Sequence, residues 1–444
     1  MTDTLDLLDD LVHRATTAGA DAADAVLIEG VSVSVARRLG ASEGVERAEG
    51  RDLGLRVLLG RRQAIVSSTD LSPEALEALV DRALAMARAV PEDPFCGLAD
   101  AEAIAASFPD LDLADAGEPP VAVLDERAAA AEDAARAVAG VTNSEGAEAG
   151  FSRSRFAMVA SNGFAGAYAT TQHALSVAVV AGDGTAMERD YDYAVVRHGA
   201  DLAPAAEVGR NAGTRAVARL RPKKAPSGRV PVVFEPRVAR GLVGHLASAI
   251  AGPAVARGTS FLKDRLGEPV FAPGIAVIDD PRRPRGLRSA PFDGEGLATR
   301  RAHVIADGVL KSWLLDLRSA RQLGLAPTGH ASRGTASPPA PRASNLYLAA
   351  GEVSREALIA DIASGLYVTE LIGMGVNPVT GDYSRGAAGF WIEGGTLAHP
   401  VSEVTIAGNL KAMFAALAPA DDLVFRYGID APTVRIDGMT VAGR

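Results

Sequence analysis

The sequence predicts an α+β protein, with an N-terminal half of α/β layers followed by a β-rich C-terminal domain. Helix-spaced and strand-like segments alternate over the first 220 residues. Beyond residue 228 strand signals dominate and helical patterns are few. The length of 444 residues is also too great for one hydrophobic core. Together these divide the chain into an N-terminal α/β domain (1–115), a central α/β domain (121–224) and a β-rich domain (229–444).

Leu5, Leu8, Leu11 and Val12 fall on one face of a helix expected over 3–18. Strand-like runs follow at 26–28 and 31–35, the latter alternating with Ser32 and Ser34. The glycine-rich stretch 40–50 reads as a turn or mobile loop, with further strands near 53–59 and 64–68. Ser72, Pro73 and Glu74 form a helix start, because a hydroxyl caps free amides, proline suits the first turn and a carboxylate suits the positive dipole end. Leu76, Leu79, Val80 and Ala83 supply that helix's buried face. Five prolines among residues 91–120 mark a linker. Helices are expected over 121–138 and 205–220, with strands between them and a hairpin turn at 181–184. Residues 221–228 (RPKKAPSG) read as a second boundary. In the last domain, strands are expected at 230–234, 275–278, 302–305, 346–348 and 401–406, and helices near 237–250, 354–364 and 408–417.

Residues 156–182 carry no Asp, Glu, Lys or Arg, yet polar residues and three glycines interrupt them, so they read as strands and turns and no membrane insertion is expected. The net charge of −10 argues against nucleic acid as a partner, since phosphate binding needs a basic surface. A single cysteine, Cys96, permits no intrachain disulfide and suits a reducing cytoplasm. The acidic N-terminus lacks the basic and apolar regions of a secretory signal.

Most chemical motifs have a plain structural reading. Ser42 lies in a G-x-S-x-G match, but no helix pattern follows to make a nucleophile elbow, so a loop is expected. Cys96 sits between prolines in the linker. The glycines at 373–378 (GMGVNP) lack the third glycine of a dinucleotide fingerprint. Asp279 with Asp280, and Asp293 with Glu295, are paired carboxylates near glycine and proline, where turn roles are expected. The seven histidines are His13, His173, His198, His245, His303, His330 and His399. No two lie within five residues, although zinc sites usually draw two ligands from one short segment. His245 shares a helical face with Val238, Leu242, Leu246 and Ala249, which predicts a hydrogen-bonded core histidine near the middle of an apolar stripe.

From that helix onward the chain resembles the TldD/PmbA peptidase family. The resemblance is carried by residues 240–268, 291–301 (PFDGEGLATRR), 307–325, 365–395 (GLYVTELIGMGVNPVTGDYSRGAAGFWIEGG) and 399–413, in matching order and spacing. It implies a cytoplasmic zinc metalloprotease built of two related subunits. The TldD-type subunit carries H-E-x-x-x-H on the equivalent helix and a cysteine near its C-terminus. Here His245 takes the first histidine position, Leu246 the glutamate position and Ile250 the second histidine position, and residues 417–444 hold no cysteine. The resemblance therefore implies a TldE/PmbA-type, non-catalytic chain with no catalytic residue, metal or cofactor of its own. Zinc is expected in a TldD-type partner, and unfolded peptide as substrate, as in leader removal or antitoxin degradation. Two alternatives stand beside it: an independently active metallopeptidase of the same family, and a homodimeric, chaperone-like peptide-binding protein.

Overall fold

The computed structural model describes residues 2–443. Helix α1 (Thr2–Thr17) buries Leu8, Leu11, Val12 and Ala15. The two expected strands at 26–28 and 31–35 are one long strand, β1 (Ala22–Arg38). It turns through Leu39 and Gly40, both at positive φ (52° and 81°), into β2 (Ala41–Leu59). The loop expected at 40–50 is therefore a tight two-residue hairpin followed by strand. Its burial pattern hid it, because residues 41–51 are exposed on both faces and show no alternation. Strand β3 (Arg62–Ser68) pairs only with Leu53–Leu59, so residues 41–51 form an outer edge rich in charge.

Helix α2 (Pro73–Ala89) starts as expected: Ser72 Oγ accepts a hydrogen bond from the Ala75 amide at 3.4 Å, and Leu76, Leu79, Val80 and Ala83 are buried. After the proline-rich segment come α3 (Val121–Arg136), β4 (Val141–Ala160), β5 (Ala165–Ala181), β6 (Glu188–Val196) and α4 (Ala205–Ala218). The uncharged stretch 156–182 is thus the end of β4, a turn and β5.

These six strands make one antiparallel sheet in the order β3-β2-β1-β4-β5-β6. One face is covered by helices. Ala23, Ala25 and Leu27 of β1 pack under α1 and α2, whereas Val33 and Val35, further along the same strand, pack under α3 and α4. The period of two sends the intervening residues to the opposite face. There Val26, Ile28, Phe156, Met158 and Tyr168 meet Phe292 from the C-terminal half. Gly54 lies at this junction, where an added Cβ would come within 2.7 Å of the Thr335 carbonyl carbon.

Segment 91–120 is nearly devoid of regular structure but is pinned along this junction. Arg321 donates to the carbonyls of Phe95 and Leu98, Ala105 N–H to Gly296, Thr171 N–H to Leu113 and Arg285 N–H to Leu111.

The C-terminal half runs through β7 (Gly228–Phe234), α5 (Pro236–Ala249), α6 (Gly252–Ala256), β8 (Val277–Asp279), β9 (Ala302–Ala306), β10 (Val309–Leu310) and α7 (Leu317–Leu323). Next come β11 (Ala331–Ser332), β12 (Ala340–Pro341), β13 (Leu346–Leu348), α8 (Arg355–Ile359), β14 (Ser364–Ile372), β15 (Asp382–Glu393) and β16 (Thr396–Asn409). The chain ends with α9 (Leu410–Ala415), β17 (Leu417–Pro419), β18 (Ile429–Asp430) and β19 (Val434–Ala442). The helix expected over 354–364 stops at Ile359, and strand begins at Ser364. Strands β16, β15, β14, β7 and β19 follow one another, and a β16–β19 pairing closes them into a barrel. A small sheet, β10-β9-β8-β13-β18, stands beside it. Helix α5 lies between the two and joins their cores into one apolar cluster. The α+β class with a β-rich C-terminal half therefore holds. Among the described residues, no helix is long and apolar enough to cross a membrane.

Candidate functional site

Strand β7 delivers the chain from the barrel into α5, with Glu235 at the helix cap and Pro236 in its first turn. The helix buries Ala239, Leu242, Val243, Leu246 and Ala249. His245 stands about 100° round the helix from the centre of that arc. It is half-buried at the border of the apolar stripe, not in its middle. Its ring meets the edge of Tyr383, with centroids 6.0 Å apart and planes at 79°. No hydrogen bond to its nitrogens is present among the described residues, so the expected hydrogen-bonded core histidine is instead an aromatic contact at the helix flank. Burial first, and the Arg385 charge second, hold the imidazole below its ordinary pKa. Leu246 and Ile250 are both 0% exposed and belong to the main core.

The N-terminal half of α5 borders a polar groove of about 380 Å³ lined by Arg219, Arg237, Arg240, Arg288, Arg385 and Glu370, among others. Arg237 pairs with the buried Asp190 at 2.8 Å, and its guanidinium lies 5.3 Å from the Tyr191 ring centre. Arg240 sits over Tyr427 at 4.3 Å.

The other residues singled out in the sequence lie elsewhere. Ser42 pairs with Arg37 in the β1–β2 hairpin and is exposed, so it is on no strand-to-helix elbow. Cys96 is partly buried, and burial first and Asp93 second push its thiol up, which disfavours the nucleophilic thiolate. The 373–378 glycines form the β14–β15 connection, where Ser384 N–H donates to the Gly375 carbonyl. Asp279 is fully buried and accepts from the Ser344 amide at 2.8 Å, while Asp280 accepts from the Arg282 amide.

Asp293 and Glu295 do hold turns, but they are also deeply buried. Asp293 accepts from the amides of Glu295, Leu297 and Ala331, and Glu295 from that of Leu317. Burial pushes Asp293 up to about 6 against those donors. Burial and then Asp293 push Glu295 up to about 8. Sequence reading missed the groups behind them. Asp24 and Arg56 face each other from β1 and β2, with Arg56 Nε donating to Asp24 Oδ2 at 2.8 Å, and Arg333 Nη1 lies 2.5 Å from Asp24 Oδ1. The available signal was a single charge inside each of two apolar runs, ADAVLI and LGLRVLL.

Residues 227–443 match the PmbA/TldA metallopeptidase C-terminal domain, 114–220 the central domain and 23–87 domain 1 of that group. The chain is 40% identical over 429 residues to the metalloprotease PmbA of Escherichia coli O157:H7, covering 96% of this chain and 93% of that protein. The chain belongs to the PmbA/TldD metallopeptidase family. Another PmbA/TldD relative, the metalloprotease PmbA homolog of Haemophilus influenzae, is 37% identical over 97% of this chain and 94% of its own. Among solved structures, a Bacteroides thetaiotaomicron protein described as a candidate modulator of DNA gyrase matches with a TM-score of 0.91 and 27% identity over all of both chains. TldE from Thermococcus kodakarensis shares the fold, with a TM-score of 0.89 at 20% identity over 98% of this chain and all of its own.

A metallopeptidase implies a metal ion. The surroundings of His245 do not fit one: its neighbours are a phenol ring and a guanidinium, and the next positions along the helix are core aliphatics. A catalytic zinc needs about three protein ligands and an open position. Among the described residues, no group of three or more His, Cys, Asp and Glu side chains could hold a metal ion.

Proposed function

We propose that this chain is the metal-free subunit of a two-chain zinc peptidase of the PmbA/TldD family, acting in the cytoplasm beside a TldD-type chain that carries the metal. The observation that supports it most is on α5. Leu246 and Ile250, which stand where the resemblance places the base and second ligand, are sealed in the core, while Arg385 sets a positive charge near His245. Leucine neither ligates a metal nor takes a proton from a metal-bound water, which is the work the reaction needs.

The chain's part is then to complete the chamber and hold unfolded peptide. The outer edge of β2 over residues 41–51 has no partner strand among the described residues. Such an edge offers backbone amides and carbonyls to an extended chain largely regardless of its sequence. That suits selection for disorder over a motif.

Mixing the purified chain with a TldD-type subunit and following size-exclusion elution checks the pairing. A single peak containing both chains in equal amounts is expected. Separate elution of the two at micromolar concentration would sink the proposal.

A further inference from the structure

A second cavity, of about 320 Å³, lies between the helix-free face of the N-terminal sheet and the C-terminal half. Its size falls in the range of small-ligand pockets, about 300–1,000 Å³. Tyr168 and Thr170 line it from β5, and Arg288, His330, Arg333 and Arg342 from the opposite side. Arg197 reaches it too, but spends its donors on the carbonyls of Thr171, Gly286 and Leu287.

The cavity's charge is unbalanced. Four arginines line it against one carboxylate, Asp293, in a chain whose net charge is −10. The Asp293 oxygens are already engaged by three backbone amides. Arg288 and Arg342 make no ion pair or hydrogen bond through their guanidiniums among the described residues. The Arg333 side chain is 0% exposed. Its Nη1 pairs with Asp24 Oδ1 at 2.5 Å, but its Nε and Nη2 lack an acceptor, and His330 Nε2 lies 3.4 Å from the buried Asp279 Oδ1. Buried donors are almost always satisfied, and a guanidinium shared with a second arginine on one aspartate leaves positive charge over. A water molecule offers an acceptor but carries no charge. Forked guanidinium donors match the two oxygens of a carboxylate or phosphate, and the low-dielectric walls strengthen that attraction.

We infer that this cavity is an oxyanion-binding site, in which Arg288, Arg333 and Arg342 receive a carboxylate or phosphate group between the sheet and the C-terminal half. It is separate from the α5 groove, although Arg288 lines both. It does not depend on pairing with a second subunit. Two sources offer this chemistry, a free small anion or the C-terminal carboxylate of a peptide.

Calorimetric titration of the full chain with inorganic phosphate, succinate, a tripeptide and its C-terminal amide separates them. Saturable binding at one site per chain is expected for at least one oxyanion, and none for the amide. Phosphate or succinate binding marks a free-anion site, and binding of the free-acid tripeptide alone marks a peptide-terminus site. The double variant Arg288→Gln/Arg342→Gln should weaken binding at least tenfold with an unchanged melting temperature. The inference is overturned if no oxyanion binds below the millimolar range, or if the double variant binds as tightly as the parent. Equal binding of the tripeptide and its amide overturns it too.

Discussion

Replacing Asp24 with alanine is expected to cost the fold about 3–5 kcal/mol, the usual penalty for stripping one partner from a buried ion pair. Asp24 is fully buried, Arg56 is 3% exposed and the Arg333 side chain is 0% exposed. The single carboxylate serves both guanidiniums, and the three groups come from β1, β2 and the loop after β11. Burial alone would raise its pKa, but Arg333 and Arg56 together hold it below the ordinary carboxylate value of 3.8. The contribution is therefore present above that value and is lost as pH falls through the lower, folded pKa. Alanine would leave two charges in the junction with no counter-charge, and would loosen the sheet from the C-terminal half as well as the sheet itself. Replacing all three residues by apolar ones of similar volume should cost far less than Asp24→Ala alone, because no charge is then left buried. Urea unfolding of the three proteins measures both effects. A loss below about 1 kcal/mol for Asp24→Ala would contradict the assignment.

The second large effect is on pH dependence. Glu295 titrates near 4.5 when unfolded and near 8 in the folded chain, so the folded state keeps a proton that the unfolded state has released. Between these values stability falls as pH rises, by about 1.4 kcal/mol per pH unit for a single group. The contribution is fully present below pH 4.5 and gone above about 8. Asp293, raised to about 6, adds a smaller loss of the same sign between 3.8 and that value. Glutamine at position 295 keeps an oxygen for the Leu317 amide but cannot ionise. Glu295→Gln should therefore stabilise the protein by about 2–4 kcal/mol at pH 9 and by less than about 1 kcal/mol at pH 5. Parallel thermal melts across that range test it, and equal shifts at both pH values would refute the buried, protonated carboxyl.

Helices with strong amphipathic spacing were legible from sequence, as α1 and α2 show, and α2 also had a recognisable start. The 40–50 segment was not. Its glycines and charges are turn-like, yet only Leu39 and Gly40 turn, because pairing with β1 along one edge makes a strand without burying either face. Strands β14 and β15 lie within the stretch that carried the family resemblance, but the β14–β7 and β16–β19 pairings that build the barrel join residues far apart in sequence, which no local pattern records. On α5 the residue identities were readable and the geometry was not. Helical spacing put His245 amid apolar neighbours, but which arc faces the core depends on the barrel and small sheet on either side. The Asp24, Arg56 and Arg333 cluster was visible only as lone charges, since their meeting is purely tertiary.

The proposal that this chain lends its structure to a partner's metal is tested most directly by peptide hydrolysis with zinc supplied. An unstructured peptide would be offered to this chain alone, to a TldD-type subunit with H-E-x-x-x-H, and to their mixture. No cleavage by this chain alone is expected, with chelator-sensitive cleavage by the mixture that is retained when His245 is changed to alanine. Zinc-dependent cleavage by this chain alone, abolished by His245→Ala, would contradict the proposal.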